Sequence, residues 1–276
     1  MLRRITCLFS FFLFLSTPVL AKTFTIGGSR PATLLTPTNT STSQKIPLVV
    51  FLHGYTSNGP QSDTFFGISK QRDALNIAVA LPNGTQNSEG NRFWNATPEC
   101  CDFEQTGVND AAYIAGLIRE AASVAPIDPT RVYLVGHSNG GFMSYRMACE
   151  YPELLRGIIS VSGAFFRNPA LCKNPGLLNI LQIHGTQDPT VPLAGGGGLP
   201  STQSGIDYWV QRGSCDDVRE TPKALDLVSV SGAETDTLVW DNCQAATKVG
   251  YWKVNGTAHA PYFNANWLKE ALKFVE

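Results

Sequence analysis

Residues 136–140 read Gly-His-Ser-Asn-Gly, directly after the apolar run RVYLV and directly before NGGFMSYRMACE, whose apolar residues recur at helical spacing. A serine between two such glycines, at the junction of a strand and a helix, leaves the backbone little choice of path. The turn is so tight that a side chain at Gly136 or Gly140 meets neighbouring backbone. The glycines therefore let Ser138 project its hydroxyl above the sheet. The opening turn of the helix aims unpaired N–H groups and a partial positive charge at the same place. The plainer reading is a serine-capped helix after a glycine turn. With both flanks in place, a nucleophile is expected.

Around this motif, continuous apolar runs alternate with helical patterns. Strands are expected at Ile46–Leu52, Ile77–Leu81, Arg131–Val135, Gly157–Val161, Leu178–Ile183 and Val249–Val254. Helices are expected at Val108–Val124, Asn139–Glu150, Ile206–Arg212 and Trp267–Phe274, and Thr36–Ser43 reads as a loop between early strands. Such alternation predicts an α/β protein with a mainly parallel central sheet and helices on both faces. Functional groups in these folds gather at the carboxyl ends of strands. The chain shows no internal repeat and no long linker, so residues 22–276 are expected to form a single domain.

A serine nucleophile requires a base and an acid to orient that base. Four histidines are present. His53 ends the first apolar run in LHG, His137 lies within the motif, and His184 sits at the strand-to-loop step IHG. His259 lies in a late loop, before the last helix, where a base is delivered to the top of the sheet. Asp188, in HGTQDP, stands just past the end of a strand. Among its rivals, Asp110 reads as a helix N-terminus, and Asp216 and Asp217 adjoin Cys215 in a polar stretch. Taken alone, His259 is an ordinary loop histidine and Asp188 a turn aspartate before proline. The order Ser138, Asp188, His259 is the one that G-x-S-x-G hydrolases use. An oxyanion hole is expected from the N–H of Asn139 and one near Gly54 or Tyr55.

The first 21 residues read as a signal peptide. Arg3 and Arg4 precede an uncharged apolar stretch, residues 5–20, and Val19-Leu20-Ala21 has the small-x-small form of a cleavage site. A membrane anchor is the competing reading. However, Ser10, Ser16, Thr17 and Pro18 interrupt the run, which falls short of the ~20 apolar residues that a spanning helix needs. Removal of 21 of the 276 residues leaves 255, expected to be secreted or periplasmic. Without Cys7, six cysteines remain, and in an exported chain an even number reads as disulfides. Local pairing joins Cys149 to Cys172 and Cys215 to Cys243; the latter closure is worth ~3 kcal/mol on the loop-entropy model. For Cys100 and Cys101 a strained adjacent bond, free thiols or crossed pairing all stay open. There is no C-x-x-C or His/Cys cluster, so no metal is expected, nor any other cofactor.

Composition narrows the partners. Lys and Arg number 21 against 22 Asp and Glu, with no basic run, so nucleic acid is not expected as a partner. Hydrophobic residues make up 43% of the chain, enough for a large core, while only 16% are charged. Typical domains carry ~25%, so the surface relies on uncharged polar groups.

Several stretches together resemble one family: VVFLHGYTSNG (49–59), ALPNG (80–84), FWNATPECCDF (93–103), GVNDAAYIAGLI (107–118), RVYLVGHSNGGFMSYRMACEYPELL (131–155) and HGTQDPTVP (184–192). With Cys215 and Cys243 before the final loop, they are similar to secreted esterases related to poly(3-hydroxybutyrate) depolymerases and feruloyl esterases, within the α/β-hydrolase superfamily. The resemblance implies a triad of Ser138, Asp188 and His259, with oxyanion N–H groups from Asn139 and Tyr55. Relatives carry a glycine pair before the histidine and Trp-Pro after it, whereas this loop reads GTAHAPYF. Trp94, beside Cys100 and Cys101, is a candidate for lining the substrate pocket, with a buried core position as the alternative. Gly195–Gly198 reads as a loop, and the N-x-[ST] matches at Asn39, Asn83, Asn95 and Asn255 as chance.

The expectation is a serine carboxylesterase working through an acyl-enzyme on small or oligomeric esters, without stable membrane insertion. Candidate substrates are hydroxyalkanoate, feruloyl or acetyl esters. With 255 residues there is little room for a separate polymer-binding module, which favours soluble or oligomeric esters. A peptidase, a lipase and a non-catalytic binding module of the same fold are the alternatives.

Overall fold

The computed structural model describes residues 22–38, 44–230 and 232–276. The expected signal peptide, Cys7, Asn39 and most of the 36–43 loop lie outside the described residues. In chain order the strands are β1 (Thr23–Ile26), β2 (Ala32–Leu35), β3 (Ile46–Leu52), β4 (Ala78–Leu81), β5 (Thr85–Gln86), β6 (Arg92–Phe93), β7 (Ile127–His137), β8 (Gly157–Val161), β9 (Asn179–Gly185), β10 (Arg219–Leu225), β11 (Thr235–Trp240) and β12 (Val249–Val254). The helices are α1 (Gly59–Phe66), α2 (Arg72–Leu75), α3 (Asp110–Val124), α4 (Asn139–Glu150), α5 (Thr202–Arg212) and α6 (Trp267–Val275).

Ten strands form one sheet in the order β1-β2-β4-β3-β7-β8-β9-β12-β11-β10, and β5 and β6 pair separately. From β4 to β12 all pairings are parallel. Antiparallel strands extend each edge. The sheet is therefore mainly parallel, as the apolar runs predict.

Both faces are covered, and β3 shows why its sequence lacks alternation. Leu48, Val50 and Leu52 point into the layer built by Ile114 and Leu117 of α3, Phe142 of α4 and Ile206 of α5. Val49 and Phe51 point into the opposite layer, with Phe66 of α1 and Trp267, Leu268 and Ala271 of α6. A strand buried on both sides has no polar face to display. Each fully buried aliphatic or aromatic side chain contributes about 1.5–3 kcal/mol of transfer free energy.

Two disulfides follow local pairing: Cys149–Cys172 ties the end of α4 to the segment after β8, and Cys215–Cys243 ties the end of α5 to the end of β11. The adjacent Cys100 and Cys101, for which sequence leaves the pairing open, are bonded to each other. Among the described residues no helix is long and apolar enough to cross a membrane.

Candidate active site

The sharp turn lies where β7 hands over to α4. Ser138 has φ 53° and ψ −121°, a region that costs a non-glycine residue about 1–3 kcal/mol. A Cβ on Gly136 would lie 2.0 Å from the Gly140 carbonyl oxygen, and one on Gly140 would lie 2.0 Å from that of Leu52. Only glycine fits either place. The serine N–H donates to Val161 of β8, and its carbonyl accepts from Gly141 and Phe142, which locks the strained residue from both sides.

Three strand ends converge above this turn. Ser138 follows β7, Asp188 follows β9 and His259 follows β12, so their strands are near neighbours in the sheet. His259 Nε2 lies 2.8 Å from Ser138 Oγ, and its Nδ1 lies 2.7 Å from Asp188 Oδ2. A carboxylate can only accept, so Nδ1 carries the hydrogen and Nε2 accepts the serine proton. Gly185 permits the approach of β9 to the histidine loop, since a Cβ there would meet the Ala258 and Thr257 carbonyl oxygens at 2.3 and 2.4 Å.

Asp188 is buried but well supplied with donors. Its Oδ1 accepts from the N–H groups of Thr190 (2.8 Å) and Val191 (2.9 Å), and its Oδ2 from both His259 and His184. Burial alone would raise its pKa. The donors from His184, His259 and Val191 outweigh burial and hold the carboxyl well below the usual carboxylate range. The rival aspartates are occupied elsewhere. Asp110 pairs with Arg30 at 2.6 Å and accepts the Asn95 N–H, and Asp216 and Asp217 are exposed.

The N–H groups of Asn139 and Tyr55 have no hydrogen-bond partner among the described residues, which leaves them free for an oxyanion. Both are held from behind. The Asn139 side chain pairs in both directions with the Trp94 backbone, at 2.7 and 2.9 Å. His53 Nδ1 lies 2.7 Å from the Gly54 carbonyl oxygen, which belongs to the same peptide unit as the Tyr55 N–H, while its Nε2 accepts from Gly84. Burial lowers the His53 pKa to about 4, so the ring stays neutral and keeps that donor–acceptor pattern.

Trp94 takes the buried core position that the sequence left as the alternative to the pocket wall. It does not line the pocket: its side chain is fully buried, with its ring centroid 5.0 Å from that of His53. Its indole N–H donates to the His53 carbonyl at 3.0 Å, so it braces the loop after β3 that carries Tyr55.

A cavity of about 410 Å³ opens beside the serine, lined by Tyr55, Gln61, Phe65, Phe66, Ser138 and His259 among others. Among the described residues its wall holds no Lys, Arg, Asp or Glu. Sequence reading missed α1, which supplies Gln61, Phe65 and Phe66. The signal was present: Asn58 caps the helix through the Gln61 N–H, and Pro60 stands in the first turn. It placed His137 in the motif but gave it no role there, whereas its Nε2 lies 3.0 Å from the His259 carbonyl oxygen. Burial and the neighbouring His259 lower its pKa to about 3, so His137 is neutral and holds the histidine loop by donating to it.

Comparisons with known proteins agree with this architecture. A family model described as Phospholipase/Carboxylesterase matches residues 38–203. Feruloyl esterase B of Piromyces equi is 28% identical over 240 residues, 81% of this chain and 41% of that protein. Poly(3-hydroxyalkanoate) depolymerase C of Paucimonas lemoignei is 28% identical over 137 residues, 48% of this chain and 32% of that protein. The chain thus spans less than half the length of these two curated relatives. The solved acetyl xylan esterase from Aspergillus awamori superposes with a TM-score of 0.71 at 16% identity, covering 92% of this chain and 99% of its own.

Proposed function

Because the chain belongs to the phospholipase/carboxylesterase family and has the α/β-hydrolase fold, we propose that it is a serine carboxylesterase with Ser138, His259 and Asp188 as its triad. The observation that carries this reading is the unbroken chain of hydrogen bonds from Ser138 Oγ through His259 to Asp188, beside two unpaired N–H groups.

Ser138 Oγ attacks the ester carbonyl carbon while His259 Nε2 takes its proton. The carbonyl oxygen becomes an oxyanion that accepts from Asn139 and Tyr55. His259 then gives the proton to the departing alkoxide oxygen, leaving an acyl-serine and a free alcohol. Water attacks the acyl-serine with His259 again as base, and collapse releases the carboxylic acid and restores Ser138. Asp188 fixes the imidazole and stabilises its charged form throughout.

The uncharged cavity favours esters whose acyl and alcohol parts are both neutral, since an ionic group would be desolvated there without a partner. Feruloyl, acetyl and hydroxyalkanoate esters all satisfy this. A panel of methyl ferulate, acetylated xylan and poly(3-hydroxybutyrate), ranked by kcat/KM, separates them. Export through the first 21 residues is part of the same proposal, supported by three disulfides of the kind that persist in oxidising compartments.

The test is hydrolysis of p-nitrophenyl acetate. The natural protein is expected to turn it over and to be labelled by a fluorophosphonate, and Ser138→Ala to do neither. Equal rates for the two would rule the reading out.

A further inference from the structure

Two imidazoles converge on one oxygen. Asp188 Oδ2 lies 2.7 Å from His259 Nδ1 and 3.0 Å from His184 Nε2. The side chain of His184 is fully buried, and no step of the ester hydrolysis uses it. Its tautomer follows from its partners. Gln182 Nε2 lies 3.0 Å from His184 Nδ1 and can only donate, so Nδ1 accepts and Nε2 carries the hydrogen. The orientation of the Gln182 amide is itself determined. Its Nε2 donates to the Gly163 carbonyl at 2.9 Å, and its Oε1 accepts from the Tyr145 hydroxyl at 2.9 Å. The His184 Nε2–H therefore points at Asp188 Oδ2 and at the Val191 carbonyl oxygen, 2.8 Å away. A chain of side chains, buried from Tyr145 through Gln182 and His184 to Asp188, continues through the half-buried His259 to Ser138.

We propose that His184 is a positioning residue of the hydrolytic site: by donating to Asp188 Oδ2 it fixes the carboxylate and shares the negative charge that His259 faces. The proposal rests on the triad reading above. His184 touches neither substrate nor the reacting atoms. The titratable groups around the cluster are Tyr145 from α4, His137 from β7 through the His259 carbonyl, and Tyr251 from β12 beside Thr202 of α5. Thr202 Oγ1 lies 3.4 Å from His184 Nδ1. Among the described residues no Lys, Arg or second carboxylate bonds to Asp188, His184 or His259. Asp188 is thus the one fixed charge of the cluster, and each donor to it weakens its pull on the imidazolium.

The experiment is the pH profile of kcat/KM for three variants. His184→Phe fills the ring space without a donor, His184→Gln retains an N–H donor, and Gln182→Leu leaves the ring but removes its Nδ1 partner. For His184→Phe the expected result is kcat down about tenfold or more with KM little changed. Its acid limb is expected to move to higher pH by about half a unit or more, because a less satisfied carboxylate favours the charged base. His184→Gln is expected to keep its limb near that of the natural protein, and Gln182→Leu to shift in the same direction as His184→Phe but less. A folded His184→Phe with an unmoved limb overturns the proposal, whatever its rate. If that variant does not fold, an unmoved limb in Gln182→Leu overturns it equally, and failure of all three to fold marks a purely structural role. Fluorophosphonate labelling of the natural protein separates the two readings. An unlabelled Ser138 sinks the triad, whereas a labelled Ser138 with unmoved limbs sinks only the role of His184.

Discussion

The two oxygens of Asp188 have separate donors: Oδ1 accepts two backbone N–H groups, and Oδ2 faces the two histidines. That arrangement predicts the outcome of Asp188→Asn. The amide oxygen stays with the Thr190 and Val191 N–H groups, so the amide nitrogen faces His259. His259 Nδ1 must then accept, and Nε2 takes the hydrogen and can no longer receive the serine proton. A fall in kcat of about 10⁴-fold with KM within a few-fold is expected. Steady-state kinetics on a folded variant decides it, and a loss under tenfold contradicts the tautomer argument. The meeting of Ser138, Asp188 and His259 was legible in sequence because each stands just beyond an apolar run. The bracing role of Trp94 was not, since its partners lie 41 and 45 positions away. Nor was that of His184, because sequence alone did not say which way a histidine at the end of a doubly buried strand would face.

Elements were readable in proportion to how much apolar surface they bury. The bounds of β3, β8, β12 and α4 coincide with the sequence reading, and each is almost wholly buried. By contrast β10 is an exposed edge strand containing Pro222, so no apolar run announces it. In α1 the buried residues include Gly59, Ser62 and Asp63, which a search for apolar periodicity passes over. The Cys215–Cys243 bond binds α5 to β11, and β11 is the antiparallel neighbour of β12, which presents His259. Replacing both cysteines by serine is expected to cost about 3 kcal/mol and to lower Tm by about 6–12 °C. Calorimetry under non-reducing conditions measures this. A shift below about 2 °C would show that the bond is dispensable to the fold.

At the scale of the whole molecule, two neutral histidines, one buried and one half-buried, link stability to pH. The pKa of His53 is lowered to about 4 and that of His137 to about 3, both by burial, whereas an unfolded histidine titrates near 6.5. Below about 6.5 the unfolded chain binds protons that the folded chain refuses. Stability from these groups is therefore complete above that pH and declines as pH falls, by about 1.4 kcal/mol per unit for each histidine, until their folded pKa values are reached. Urea unfolding at pH 7.5, 6 and 5 tests this before the carboxylates titrate. A flat stability across that span would contradict the neutral assignment. His53→Asn, if folded, is expected to halve the slope.

The placement of the site along the chain has one more consequence. The proposed triad lies between Ser138 and His259, on near-neighbour strand ends, whereas Tyr55 and the α1 wall of the cavity come from a separate, earlier stretch. A library confined to residues 56–66 alters the α1 wall of the cavity and leaves the residues of the proposed triad unchanged.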